Sequence, residues 1–190
     1  MPKTNMKDTI KNVSIDLFYK KGYFASSIND IARAAGIQKS SIYYHYSNKE
    51  DILFDILKTA MIDLDSKLES RLSGIKKTEE RMRTAIYCHT LFHMRRQKEV
   101  LISDSELRGL TVDNYKIIIE MRDKYDRKFQ SILKKGMDEG VFAENNCKIL
   151  SNAIITMCTA VSIWFNPHGE LSKEKIAQIY ADFSLKAIKL

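Results

Sequence analysis

Between Ser26 and Glu50 the chain concentrates side chains that make hydrogen bonds: Ser27, Gln38, Lys39, Ser40, Tyr43, Tyr44, His45 and Lys49. Ser27 and Asp30 stand three apart ahead of an apolar pair, the spacing of a capped helix whose inner face is Ile28, Ile31 and Ala32. Gly36 ends that helix. A second short helix, from about Gln38 to Tyr46, buries Ile42 and turns Lys39, Ser40, Tyr43, Tyr44 and His45 outward. Exposed hydroxyls and aromatic rings suit phosphates and base edges, so the segment reads as a DNA-binding helix-turn-helix. A second chemistry would belong to His89 and His93, which share one helical face at i, i+4 and could bind a metal. Thr90 follows His89 where a zinc-protease helix has an acid, and no third ligand is evident. No phosphate loop, nucleophile elbow or carboxylate pair stands out. The chain is therefore expected to be no enzyme, with no metal and no cofactor.

The elements that must carry these residues are helical. Two prolines and seven glycines in 190 residues, 44% of them hydrophobic, predict an all-α protein with short connections. The formal charge is +7, and residues 1–50 hold eight Lys/Arg against four acids, compared with 23 against 20 in the rest. That bias suits phosphate neutralisation, and a solvated basic surface explains it almost as well. Cys88, Cys147 and Cys158 have no CxxC spacing and read as reduced thiols. The apolar run Ala153 to Phe165 is too short to cross a bilayer and there is no apolar leader, so a cytoplasmic protein without membrane contact is expected.

About nine helices are expected. The first runs from about Thr4 to Lys21 and a long one begins near Lys49. Further helices follow from Thr78, a short piece at Val100 to Leu107, one from Tyr115 to Met137, and two at Asn145 to Phe165 and Ser172 to Lys189. The division is residues 1–48 as the DNA-binding domain and 49–190 as a larger helical domain. The Asn145 to Phe165 helix is apolar on nearly every face and is expected to be covered on all sides. Two such helices at the C-terminus are explained most economically by a subunit interface.

The stretch from Ile10 to about Leu53 resembles the DNA-binding domain of the TetR family of bacterial one-component repressors. Leu17-Phe18, Gly22-Tyr23, Ser27, Ile31-Ala32, Ala35-Gly36-Ile37, Tyr43, His45, Tyr46, Lys49-Glu50 and Ile52-Leu53 carry the likeness. The family more often has Phe where Tyr46 stands and Ser or Thr where Gln38 stands, which bears on the bases read. The resemblance implies Lys39, Ser40 and Tyr44 at base edges and Ser27, Tyr43, His45 and Lys49 at phosphates. For Tyr46, and less so for Tyr43, packing in the small core is the competing role. It also implies a homodimer on double-stranded operator DNA with an inverted repeat, its reading helices about 34–36 Å apart or somewhat more.

In a protein of that plan the helices from Lys49 to Phe165 surround an effector cavity. Candidates to line it are Ile86, His89, Phe92 and His93, then Tyr115, Ile118, Arg122 and Tyr125, and last Met157 and Trp164. Most of these equally fit an ordinary core, whereas Arg122 on an apolar face needs an anionic partner. The last two helices would pair with their twins through Val161, Ile176, Ile179, Tyr180, Phe183 and Ala187. The block Trp164-Phe165-Asn166-Pro167 through Ile176 resembles a subgroup that represses fatty-acid and steroid breakdown and responds to acyl-CoA. Arg95, Arg96 and Arg108 are then candidates for the nucleotide phosphates. The alternatives are a multidrug-type sensor with an aromatic cradle for a cation, and a helix-turn-helix repurposed for protein contact.

Overall fold

The computed structural model describes residues 5–189, so the expected helix start at Thr4 lies outside the described residues. Asn5 caps helix α1 (Met6–Lys21), accepting a hydrogen bond from the Lys7 amide. Its inner stripe is Ile10, Ser14, Ile15 and Phe18. Ser14 is buried there because its hydroxyl donates back to the Ile10 carbonyl at 2.8 Å, leaving no polar group unpaired. Helix α2 (Ile28–Ala35) starts on the expected capping box and stops at Gly36, whose φ of 66° is left-handed. Helix α3 (Lys39–His45) follows directly, and α4 (Lys49–Leu72) runs for 24 residues.

Next come α5 (Thr78–Arg95), α6 (Gln97–Ser105), a 3-10 turn at Leu107–Gly109 and α7 (Val112–Asp138). The expected helix from Asn145 to Phe165 is interrupted. It forms α8 (Cys147–Thr159) and a four-residue α9 (Val161–Trp164), and α10 (Lys173–Ile188) closes the fold. Among the described residues there is one isolated strand-like bridge, Phe142 with Lys189, and no sheet.

Packing divides the chain into two compact units. Among the described residues, one joins 5–61 to 98–119, and the other joins 62–97 to 120–189. Neither unit ends at the expected 48/49 boundary: the units part within α4 at 61/62 and within α7 at 119/120. In the second unit α5 is the central element, packed against α8, α9 and α10. One cluster there joins Leu91 and Met94 to Val161, Phe165, Ile176 and Ala177.

Candidate nucleic-acid interface and effector core

In the helix-turn-helix, the buried Ile31, Ala32 and Ile42 tie α2 and α3 together, leaving one face of α3 to solvent. Gln38 stands at its N-cap without a side-chain bond to the helix, and Lys39 and Ser40 are exposed. Tyr44 is 86% exposed and Tyr43 48%. The Lys39 ammonium lies 5.6 Å from the Tyr43 ring centre, and Tyr44 meets His45 edge-on at 5.0 Å. A fully solvated tyrosine gains nothing from folding, so such a ring suits a partner that the free protein lacks.

Three residues of the motif have other work. The Ser27 hydroxyl donates to Asp30 Oδ2 at 2.6 Å while accepting from the Asp30 amide, so its proton is committed to the cap. Lys49, expected at a phosphate, is turned inward: its ammonium donates to the Tyr23 carbonyl at 2.8 Å and the Ser26 carbonyl at 2.6 Å, over the Tyr23 ring. That is a correction, because two of the three ammonium protons are spent fastening the α1–α2 turn to α4. Tyr46 is buried, as its competing role had it, and donates to Asp55 Oδ2 at 2.6 Å. Burial and this bond push its hydroxyl pKa up. For Asp55, burial alone would raise the carboxyl; the Tyr46 bond and the Lys11 and Lys7 charges outweigh it and hold the carboxyl low. Replacing Tyr46→Phe removes one charge-assisted bond without changing shape. Chemical denaturation should register a loss of about 1–2 kcal/mol, and no loss would mean that the hydroxyl is merely accommodated.

The second unit holds a buried polar chain. His93 Nδ1 is 2.7 Å from the His89 carbonyl, which can only accept, so that nitrogen carries the proton. Burial, with the Arg122 charge adding to it against the His89 carbonyl, lowers His93 to about 4, so the ring is neutral at pH 7 and its Nε2 is an acceptor. The donor 3.4 Å away is the Thr159 hydroxyl. With that proton spent, Thr159 Oγ1 must accept from His89 Nε2 at 3.0 Å. His89 is likewise held neutral, by burial first and then by His93, so its Nδ1 accepts from the Tyr125 hydroxyl at 3.1 Å. Every proton in the series Tyr125, His89, Thr159, His93 therefore has one direction.

Of the expected effector residues, His89, Phe92, His93 and Tyr125 come together, with the His89 and His93 rings 3.9 Å apart and Phe92 5.9 Å from His93. Ile86 is buried on the same helix, while Met157 and Arg122 are half-buried. Three depart from expectation. Ile118 is buried in the first unit, Tyr115 is 43% exposed there, and Trp164 stands 54% exposed, stacked on Tyr180 at 6.3 Å. Thr159 was missed; with Thr156 also in the run Ile154 to Cys158, nothing in the sequence singled out its hydroxyl. Arg95 pairs with Glu174, Arg96 with Asp63, and Arg108 lies over the Phe24 ring. A separate open cleft of about 350 Å³ lies among Glu69, Leu72, Arg81, Lys124, Arg127 and Lys128 and includes none of the polar chain.

The interface residues also divide. Val161 and Ile176 belong to the chain's own core, a correction that follows from their packing on Leu91 and Met94. Ile179, Phe183 and Ala187 form an exposed stripe on α10, with Phe183 60% exposed, and Tyr180 is half-buried. The segment α8–α9 is buried on one side only, through Ser151, Ile154, Cys158 and Val161. Ile149 and Ile163 face out, Ile163 at 74%, so the helix expected to be covered on all sides is half open. Counted from Cys147 to Trp164 it reaches 18 residues at a mean hydropathy of 1.4, long and apolar enough by composition to span a membrane. Its packing on α5 accounts for the inner half.

A short capped helix, a glycine turn and a solvated reading helix, joined to a larger all-helical unit with a buried polar core, define a DNA-binding regulator. Residues 10–56 match the family described as bacterial regulatory proteins, tetR family, and residues 76–188 match the tetracyclin repressor-like C-terminal domain. The chain belongs to the TetR family of transcriptional regulators and is not an enzyme. It is 27% identical over 184 residues to the HTH-type transcriptional repressor KstR2 of Mycolicibacterium smegmatis, covering 96% of this chain and 90% of that one. Among solved structures, AibR in complex with isovaleryl coenzyme A and operator DNA is 26% identical, with a TM-score of 0.86 over 94% of this chain and 97% of that one. PfmR of Thermus thermophilus is 28% identical, with a TM-score of 0.87 over 93% and 97%.

Proposed function

We propose that this transcriptional repressor acts as a homodimer on an inverted-repeat operator and is released by an acyl-CoA thioester. The observation that carries the reading is the likeness to AibR, a protein whose structure contains both an acyl-CoA and operator DNA, over 94% of this chain. Three features of the chain support it. Gln38, Lys39, Ser40, Tyr43, Tyr44 and His45 present an extensive hydrogen-bonding face on the motif, and these would meet the operator. The apolar stripe of Ile179, Phe183 and Ala187, with Ile149, Ile163 and Trp164, needs a covering surface, and a second copy supplies one of the same character. His89, His93 and Tyr125 form a neutral hydrogen-bonding cluster beside Phe92, and neutral donors and acceptors suit the carbonyl of an esterified acyl group. Release follows from linkage: a ligand that prefers the conformation with misplaced reading heads weakens DNA binding reciprocally.

The test is fluorescence anisotropy of a labelled fragment from upstream of the gene, at stated salt, with acyl-CoA titrated into the complex. Reversal by long- or branched-chain acyl-CoA, with free CoA and fatty acid inert, is the expected result. A tight complex indifferent to every acyl-CoA would end the thioester reading while leaving the repressor.

A further inference from the structure

The turn between α1 and α2, residues 22–27, ends in the Ser27 cap that leads into α2, and it is gripped from two sides within the first unit. Lys49 of α4 takes its carbonyls at Tyr23 and Ser26. On the other side Glu106, which lies outside the helix-turn-helix just after α6, accepts the Tyr23 amide through Oε1 at 3.3 Å. Glu106 is 8% exposed, and its second oxygen is buried without a hydrogen-bond partner. A buried carboxylate left half-satisfied is costly, so its position calls for a reason beyond stability. The approach is close by construction. A Cβ on Gly109 would sit 2.6 Å from the Tyr23 ring and 3.0 Å from Leu53, so only glycine lets the 3-10 turn reach the head. One turn further on, Glu50 accepts from the Thr111 amide at 3.0 Å and from Asn114 Nδ2 at 2.9 Å, fixing the start of α7 to the start of α4.

We infer that Glu106 is a positioning residue for operator binding: by holding the Tyr23 amide it sets the α1–α2 turn, and with it the Ser27-capped start of α2, in the orientation that meets the DNA backbone. The contact, and not the charge, does this. Lys49 holds carbonyl groups of the turn and Glu106 holds the Tyr23 amide, so the two fix it through different atoms. Segment 106–114 thereby sets the geometry of a DNA-binding head to which it does not belong by sequence.

Two variants separate contact from charge. Glu106→Gln keeps an acceptor oxygen at the same reach and removes the charge; Glu106→Asp keeps the charge and is one methylene too short. Operator Kd for the Gln variant should lie within about twofold of wild type, and for the Asp variant should rise about tenfold, the size of a lost hydrogen bond to a charged group. Thermal midpoints and helical circular dichroism of both variants establish that the comparison is between folded proteins. Hydrogen exchange at the Tyr23 amide gives an independent reading, protected in wild type and the Gln variant and fast in the Asp variant. The opposite order of affinities, or wild-type affinity in both variants, would overturn the assignment, as would an Asp variant with a lowered melting point and an unchanged Kd well below it.

Discussion

Between pH 7 and pH 4.5 the protein should lose a large part of its stability through His93 and His89. Both rings are buried neutral, His93 at about 4 and His89 well below its ordinary 6.5. In the unfolded chain each takes up a proton near 6.5, so over this interval the unfolded state binds more protons and stability falls as pH falls. It is fully present above pH 6.5 and drains away down to the folded value. For His93 alone the difference of about 2.5 units amounts to about 3 kcal/mol, and His89 adds to it in the same direction. The first cause is burial, and a second proton on His93 would also sit on Nε2, facing a Thr159 hydroxyl already donating to it. Urea unfolding at a series of pH values measures the effect. The variant His93→Asn, which retains a donor for the His89 carbonyl and has nothing to titrate, should flatten the dependence between pH 6.5 and 4.5. A wild-type midpoint constant over that interval would show that the rings are hydrated.

What could be read from the sequence was what local chemistry decides. The Ser27–Asp30 cap, Gly36 and the outward face of α3 all rest on neighbours within four residues, and the structure has them as expected. Lys49 could not be read, because its partners at Tyr23 and Ser26 are 26 and 23 residues away and are backbone carbonyls, which leave no mark on a side-chain pattern. Periodicity announced the apolar character of α8 and α10 but not what covers each position. Val161 and Ile176 face the chain's own core, while Ile179 and Phe183, with the same hydrophobicity, do not. The break at Ala160 is likewise silent, since alanine favours a helix. The grouping of residues 98–119 with the DNA-binding head depends on Glu50, Glu106 and Gly109 acting across long separations.

Thr159→Val should be the most damaging single change in the second unit for its size. The two side chains have the same shape, so packing is conserved and the effect is that of one hydroxyl. That hydroxyl accepts from His89 Nε2 and donates to His93 Nε2, across 70 and 66 residues of chain, so its loss orphans a donor and an acceptor at once. Leaving buried polar groups unpaired costs about 1–3 kcal/mol each, which makes a combined loss of about 2–6 kcal/mol the expectation. Thr159→Ser, which retains the hydroxyl and removes a methyl group, should cost about 1 kcal/mol. A rearrangement in which the His89 ring bonds to the Ile155 carbonyl instead would soften the valine penalty, since that carbonyl also faces the ring. The two cases separate in nitrogen-15 spectra of the imidazoles. In wild type each ring should show one protonated nitrogen, Nδ1 of His93 and Nε2 of His89; in the valine variant His93 should keep Nδ1 protonated through the His89 carbonyl, while His89 keeps its own tautomer only if Ile155 takes over. Equal stability of the valine and serine variants, with both tautomers unchanged, would mean that Thr159 does not join the two histidines, and the directed chain would reduce to two separate pairs, Tyr125 with His89 and His93 with its own helix.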